Sequence, residues 1–137
     1  MQGREFLETA KTLIPFDTED CLRTASGRIY YALFLETRDA LTRWGFLPPQ
    51  YQAHAFVRTR FQYAGVFDLK AIGKALEDLW QLRSEADYEL WHSIAFYDDS
   101  AAQFALRVAE VELASLDAVD ADPVRRAAAV AAIRAVP

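Results

Sequence analysis

The sequence predicts an all-α protein, an antiparallel up-and-down bundle of about five helices, and three observations carry that prediction. Apolar residues recur at the three-to-four-residue spacing of helix faces along most of the chain. Only 5 Gly and 5 Pro interrupt the 137 residues, so individual elements run long. No useful stretch alternates apolar and polar residues as a strand would, and no repeat of roughly 20 to 50 residues is present. A hydrophobic content of 53%, with 9 Phe, 6 Tyr and 3 Trp, is ample for a packed core and excludes wholesale disorder.

The first helix spans about residues 4–14 and stops at Pro15. Asp17 or Thr18 caps a long second helix that ends near Trp44, with Gly45 as its C-terminal cap. Leu22, Ile29, Leu33, Ala40 and Trp44 fall on one face of it, widened by Tyr30, Phe34 and Leu41. The opposite face carries Arg28, Tyr31, Leu35 and Arg38. Its middle is apolar nearly all round, which predicts neighbours on two sides. Phe46-Leu47-Pro48-Pro49 is a rigid loop. A third helix over about residues 52–63 places His54, Val57, Arg58 and Phe61 on one face. Asp68 is the expected cap of a fourth helix reaching about residue 94. The segment 96–100 breaks the chain before a fifth helix over about 101–116. Asp122 and Pro123 read as N-cap and first position of an Ala-rich terminal helix. Two units are therefore expected: residues 1–120 as the bundle, and 121–137 as a C-terminal helix or tail with little apolar bulk.

Charge and cysteine usage narrow the function. The net charge of −5 disfavours a broad nucleic-acid-coating surface, although 15 Lys and Arg leave room for a local basic site. A single cysteine, Cys21, excludes an internal disulfide and any cysteine-based zinc site. No metal and no cofactor is expected. The opening MQGREFLETAK carries charges where a signal peptide needs its apolar segment. The longest apolar runs, 29–35 and 127–133, fall far short of the roughly 20 residues that span a bilayer. A cytoplasmic protein without a membrane partner is the expectation.

The fourth helix carries the most informative pattern. Its expected core face reads Leu69, Ile72, Leu76, Leu79 and Trp80, then Arg83 and Asp87, then Leu90, Trp91 and Ile94. An arginine and an aspartate four residues apart thus interrupt an apolar stripe, close enough to meet. Two readings stand side by side. One is a buried ion pair that sets helix register; the other is a polar pocket, inside the bundle or at a dimer seam, for a phosphate or a base. If Asp87 is buried, Arg83→Ala is expected to cost roughly 2–5 kcal/mol.

These residues also carry a resemblance. Arg83-Ser84-Glu85-Ala86-Asp87-Tyr88 is similar to the Arg-x-x-Ala-Asp-Tyr signature of one branch of the HEPN domains. Upstream, Gly27-Arg28-Ile29-Tyr30-Tyr31-Ala32-Leu33-Phe34 resembles that branch's Ser/Gly-Arg-x-Tyr-Tyr-Ala-x-Phe segment. Between them, Ala53-His54-Ala55-Phe56-Val57, followed by Phe61, is similar to its His-x-x-Val…Phe helix. Order and spacing agree over about residues 21–116.

The resemblance implies an antiparallel helical bundle that commonly dimerises. It also implies a setting in bacteria or archaea beside a minimal nucleotidyltransferase, in toxin–antitoxin-like or defence pairs. In the ribonuclease branches an Arg precedes a His by an intervening four to six residues, and the two form a composite site across a dimer. This chain departs from that pattern: no arginine stands five to seven positions before His54 or His92. Arg83 and His92 are nine positions apart, nearly opposite on one helix, and cannot converge on one phosphate.

The candidate polar site is therefore Arg28, His54, Arg83, Asp87 and Tyr88, with no catalytic residue assigned. His54 is either a half-buried helix residue or, as the family motif allows, a neighbour of Arg28 or Arg83 across the bundle. Tyr30 and Tyr31 read as core and interface aromatics. The function expected is a non-catalytic or weakly catalytic nucleotide- or RNA-associated HEPN subunit with a nucleotidyltransferase-like partner. A metal-independent ribonuclease toxin with a variant site is one alternative, and a purely structural oligomerisation module is the other. A homodimer is expected because a lone bundle covers only one of the two apolar faces of the second helix well.

Overall fold

The computed structural model describes residues 1–91 and 93–137. It is all-α, as the helical spacing predicts. The helices are α1 (Phe6–Leu13), α2 (Glu19–Arg43), α3 (Ala53–Gln62), α4 (Phe67–Tyr88), α5 (Ser100–Ala121) and α6 (Pro123–Arg134). Short 3-10 turns at Gly3–Glu5 and Ile14–Phe16 flank α1.

Local chemistry explains most of these boundaries. Pro15 sits in the turn after α1, and Asp17 then adopts the left-handed conformation (φ 52°) that a short polar side chain tolerates. At the end of α2, Gly45 takes φ 93°; its N–H reaches Thr42 O and that of Phe46 reaches Leu41 O at 2.8 Å. That pairing closes the helix with a Schellman cap, which needs glycine at this position. Asp122 Oδ1 accepts from the N–H groups of Val124 and Arg125, and Pro123 opens α6. Asp68, by contrast, is not the cap of α4. Val66 occupies the cap position, and Asp68 lies one residue into the helix, held by Arg125 at 2.8 Å.

α2 is the axle of the fold. It packs against α1, α4 and α5, and α3 packs mainly on α4. Leu22, Ile29, Leu33 and Leu41 are fully buried, Tyr30, Phe34, Glu36 and Thr37 widen the same buried arc, and Arg28, Tyr31, Leu35 and Arg38 opposite are half-buried. The face expected to stay open for a partner is partly covered by the chain's own N-terminal turn. Gly3 lies so close that an added Cβ would stand 2.6 Å from Leu35 Cβ. The buried Glu36 accepts from both the backbone and the guanidinium of Arg4, which also grips Asp117. The second side of α2 is thus partly covered within one chain, with Arg28, Tyr31, Leu35 and Arg38 half-buried, which weakens the reason the second helix alone gave for a dimer. α6 joins the same core, with Ala129, Ile133 and Val136 buried.

α4 corrects the sequence reading most. It ends at Tyr88 rather than near residue 94, and Leu90, Trp91 and Ile94 are exposed instead of lining the core. No proline or glycine marks the break. The cause is Arg23 of α2, whose guanidinium donates to the carbonyl oxygens of Glu85, Ala86 and Glu89 at 2.9–3.0 Å. With its last carbonyls satisfied from outside, the helix need not continue. The chain turns away and buries Phe96 beneath the same guanidinium, 4.6 Å from the ring centroid. The core stripe of α4 therefore runs Leu69, Ile72, Leu76 and Leu79 to Ala86, with Leu82 packed partly against it. Asp87 is exposed, so its ion pair with Arg83 is not the buried one that the first reading of the stripe required.

Candidate functional site

The fold gathers residues from α2, α3 and α4 around one aromatic ring. Arg28 and Tyr31 stand three apart on α2 and so share a face. The Arg28 guanidinium carbon lies 5.4 Å from the Tyr31 centroid and 4.8 Å from that of Phe6. Arg83, arriving on α4, also stands 5.4 Å from Tyr31 and 5.8 Å from Tyr88. Two cations thus lean on one tyrosine, an arrangement favoured by the negative ring face.

His54 enters from the first turn of α3. Its imidazole stacks on Phe34 at 4.1 Å between centroids and 8° between planes, and it meets Tyr31 edge-on at 5.9 Å. Its Nδ1 pairs with the Tyr30 hydroxyl at 2.6 Å. Burial is the main reason the Tyr30 phenol is shifted upward, and Arg58 and Arg83 only partly oppose it. Tyr30 therefore keeps its proton. When that proton is donated to Nδ1, the remaining hydrogen of a neutral His54 sits on Nε2. The imidazole is in turn held below its ordinary value of 6.5, first by burial and then by the charges of Arg83 and Arg58. His54 is a neutral group beside cations.

The candidate residues do not all come together. Arg28, His54 and Arg83 share the neighbourhood of Tyr31, and Tyr88 is joined to it through Arg83. Asp87 touches it only through Arg83: its Oδ2 lies 2.9 Å from Arg83 Nε, at an angle that makes no hydrogen bond. Its side chain is 42% exposed against 19% for Arg83, so the arginine is the inner member of the pair. His92, the other histidine weighed against Arg83, lies outside the described residues.

Three contributors were legible only as generic positions. Tyr30 and Phe34 look like core and Tyr31 like an interface residue, yet His54 stacks on the first two and meets Tyr31 edge-on. Arg58 was visible on the His54 face of the third helix, four residues on, and it is a further cation of the site. It packs over Trp80 at 5.4 Å while acting on His54 and Tyr30. The i, i+4 relation to His54 was the signal that could have promoted it.

The electrostatics of this surface run against the balance of the whole chain. Among the described residues neither Arg28 nor Arg58 has a carboxylate within ion-pair distance, although net charge is −5. Guanidinium groups without a carboxylate partner, together with the exposed Tyr88 ring beside Arg83, suit a phosphate with an attached ring. Among the described residues, no group of three or more His, Cys, Asp or Glu is placed to hold a metal ion.

Comparison with known proteins gives one relative. The chain is 32% identical to "Uncharacterized protein MJ0992" of Methanocaldococcus jannaschii over 131 residues, covering 82% of this chain and 74% of the archaeal one. No family model and no solved structure matches.

Proposed function

The chain belongs to the family of the archaeal protein MJ0992, and on that premise we propose its function from its own site: a nucleotide- or RNA-associated, HEPN-like binding subunit. The observation that carries this reading is the pair Arg28 and Arg83 on the Tyr31 ring, with Arg58 over Trp80 as a further cation acting on His54, and with only Arg83 facing a carboxylate. Guanidinium groups supply charge-assisted hydrogen bonds to phosphate oxygens, and Tyr88 offers an exposed ring for a base. The subunit is non-catalytic or weakly catalytic. Metal-free RNA cleavage needs a general base beside the cation, and His54 has Nδ1 committed to Tyr30. Its biological setting is a cytoplasmic homodimer paired with a nucleotidyltransferase-like protein in a toxin–antitoxin-like or defence system. Among the described residues no helix is long and apolar enough to cross a membrane, which agrees with that setting.

The test is fluorescence anisotropy with a labelled RNA oligonucleotide, run at several salt concentrations. Arg28→Ala and Arg83→Ala should each weaken binding and lower the salt slope by about one. Unchanged binding in both variants overturns the reading and leaves a structural oligomerisation module in its place. A second reading, a metal-independent ribonuclease toxin, is favoured by the closeness of Arg58 and Arg83 to His54. It predicts cleavage of total RNA without added metal, abolished by both His54→Ala and Arg83→Ala. Absence of cleavage in the parent protein rejects it.

A further inference from the structure

A second cationic groove, sharing no residue with the Tyr31 cluster, lies between the C-terminal end of α2 and α6. Pro123, Arg126, Ala127, Val130, Ala131 and Arg134 follow i, i+3, i+4, i+7, i+8 and i+11 spacing, one face of α6. Arg43, Trp44 and Asp120 form the opposite wall, enclosing about 540 Å³. That volume suits a small ligand of metabolite size.

The charges of this groove do not cancel. Asp120 is its one carboxylate, and both of its oxygens are already engaged. Oδ2 takes Arg43 at 2.7 Å and Oδ1 takes the Trp44 indole N–H at 2.8 Å. Burial works against its ionisation, but the hydrogen bonds from Trp44 and Arg43 outweigh burial and hold it below the ordinary carboxylate range. Arg126 and Arg134 are exposed, and among the described residues neither has an ion-pair partner. Three guanidinium groups, Arg43, Arg126 and Arg134, thus share one carboxylate in the groove, beside the small apolar side chains of Ala127, Val130 and Ala131.

We propose that this groove binds a small phosphate monoester, its dianionic phosphate on Arg126 and Arg134 and its organic part on Ala127, Val130 and Ala131. A dianion matches the groove's excess of two positive charges, three arginines against one aspartate, and the forked guanidinium geometry matches phosphate oxygens.

Isothermal titration of the full chain with phenyl phosphate, and separately with inorganic phosphate, tests this. Phenyl phosphate should bind with a sub-millimolar Kd, more tightly than inorganic phosphate because of the apolar floor. The double variant Arg126→Ala/Arg134→Ala should weaken it by about tenfold or more. Both side chains are exposed, so circular dichroism should show an unchanged fold. The variant Arg28→Ala/Arg83→Ala should retain binding, which separates this site from the Tyr31 cluster. No binding at millimolar phenyl phosphate, or affinity kept within about twofold in the α6 variant, overturns the proposal. Loss of binding only in Arg28→Ala/Arg83→Ala also overturns it.

Discussion

Arg83 and His54 owe their character to what surrounds them rather than to their own helices. Because Asp87 is exposed, removing Arg83 does not strand a buried charge. Arg83→Ala should therefore cost about 1 kcal/mol or less in urea denaturation, not the larger penalty of a broken buried pair. A loss above about 3 kcal/mol would restore the buried-pair view. His54 should impose a pH dependence whose sign follows from its downward shift. Above pH 6.5 the imidazole is neutral whether the chain is folded or unfolded. As pH falls below that, the unfolded chain protonates first, so stability is lost until folded His54 protonates as well. His54→Phe keeps the stack on Phe34 but cannot titrate. The stability difference between parent and variant should therefore change between pH 7 and pH 5, with the parent losing more on acidification.

At the scale of elements, two close contacts set how α4 sits. Gly73 lies against α3: a Cβ there would stand 2.4 Å from Gln62 N and 2.5 Å from its Cα. Backbone cannot give way as a flexible side-chain tip can, so Gly73→Ala should destabilise by about 1–3 kcal/mol. Gly27 is the contrast, since a Cβ at this mid-helix position of α2 meets nothing within 4 Å. Gly27→Ala should stabilise by about 0.5–1 kcal/mol through helix propensity. Thermal unfolding of the pair should move in opposite directions. The other contact is the Arg23 cap of α4. Arg23→Ala strips the donors from the final carbonyls and should cost about 1–3 kcal/mol. Hydrogen exchange should quicken in the last turn of α4 ahead of the rest of the helix. Uniform protection there after the substitution would mean that the cap is dispensable.

The exit from α4 also bears on the whole molecule. Tyr88, Leu90, Trp91, Ile94 and Tyr97 all stand exposed within a short stretch. Since the second side of α2 is already partly covered by its own chain, this surface is the stronger reason to expect a homodimer. Light scattering at micromolar concentration should give about twice the 15.5 kDa of one chain. Trp91→Ser/Ile94→Ser should return the mass to that of one chain. A parent protein at 15.5 kDa would remove the homodimer from the proposed function.

Helical spacing, the Gly45 and Asp122 caps and the scarcity of glycine and proline determined an all-helical chain and most helix boundaries, because these signals act within a few residues. The central place of α2 was legible for the same reason, in a middle that is apolar nearly all round. Asp87, Leu90, Trp91 and Ile94 do not line the core as their spacing predicts, because apolar residues continue past Tyr88 and nothing local announces the break. Arg23 ends α4 from 62 residues away in sequence, a contact that no periodicity encodes. Likewise His54 and Arg58 share a helix face in the sequence. Only the packing of α2, α3 and α4 set that face beside Tyr30, Tyr31, Phe34 and Arg83. Spacing along one helix determines which side chains share a face. Which faces meet, and hence which charges lack a counter-charge, is decided by long-range packing.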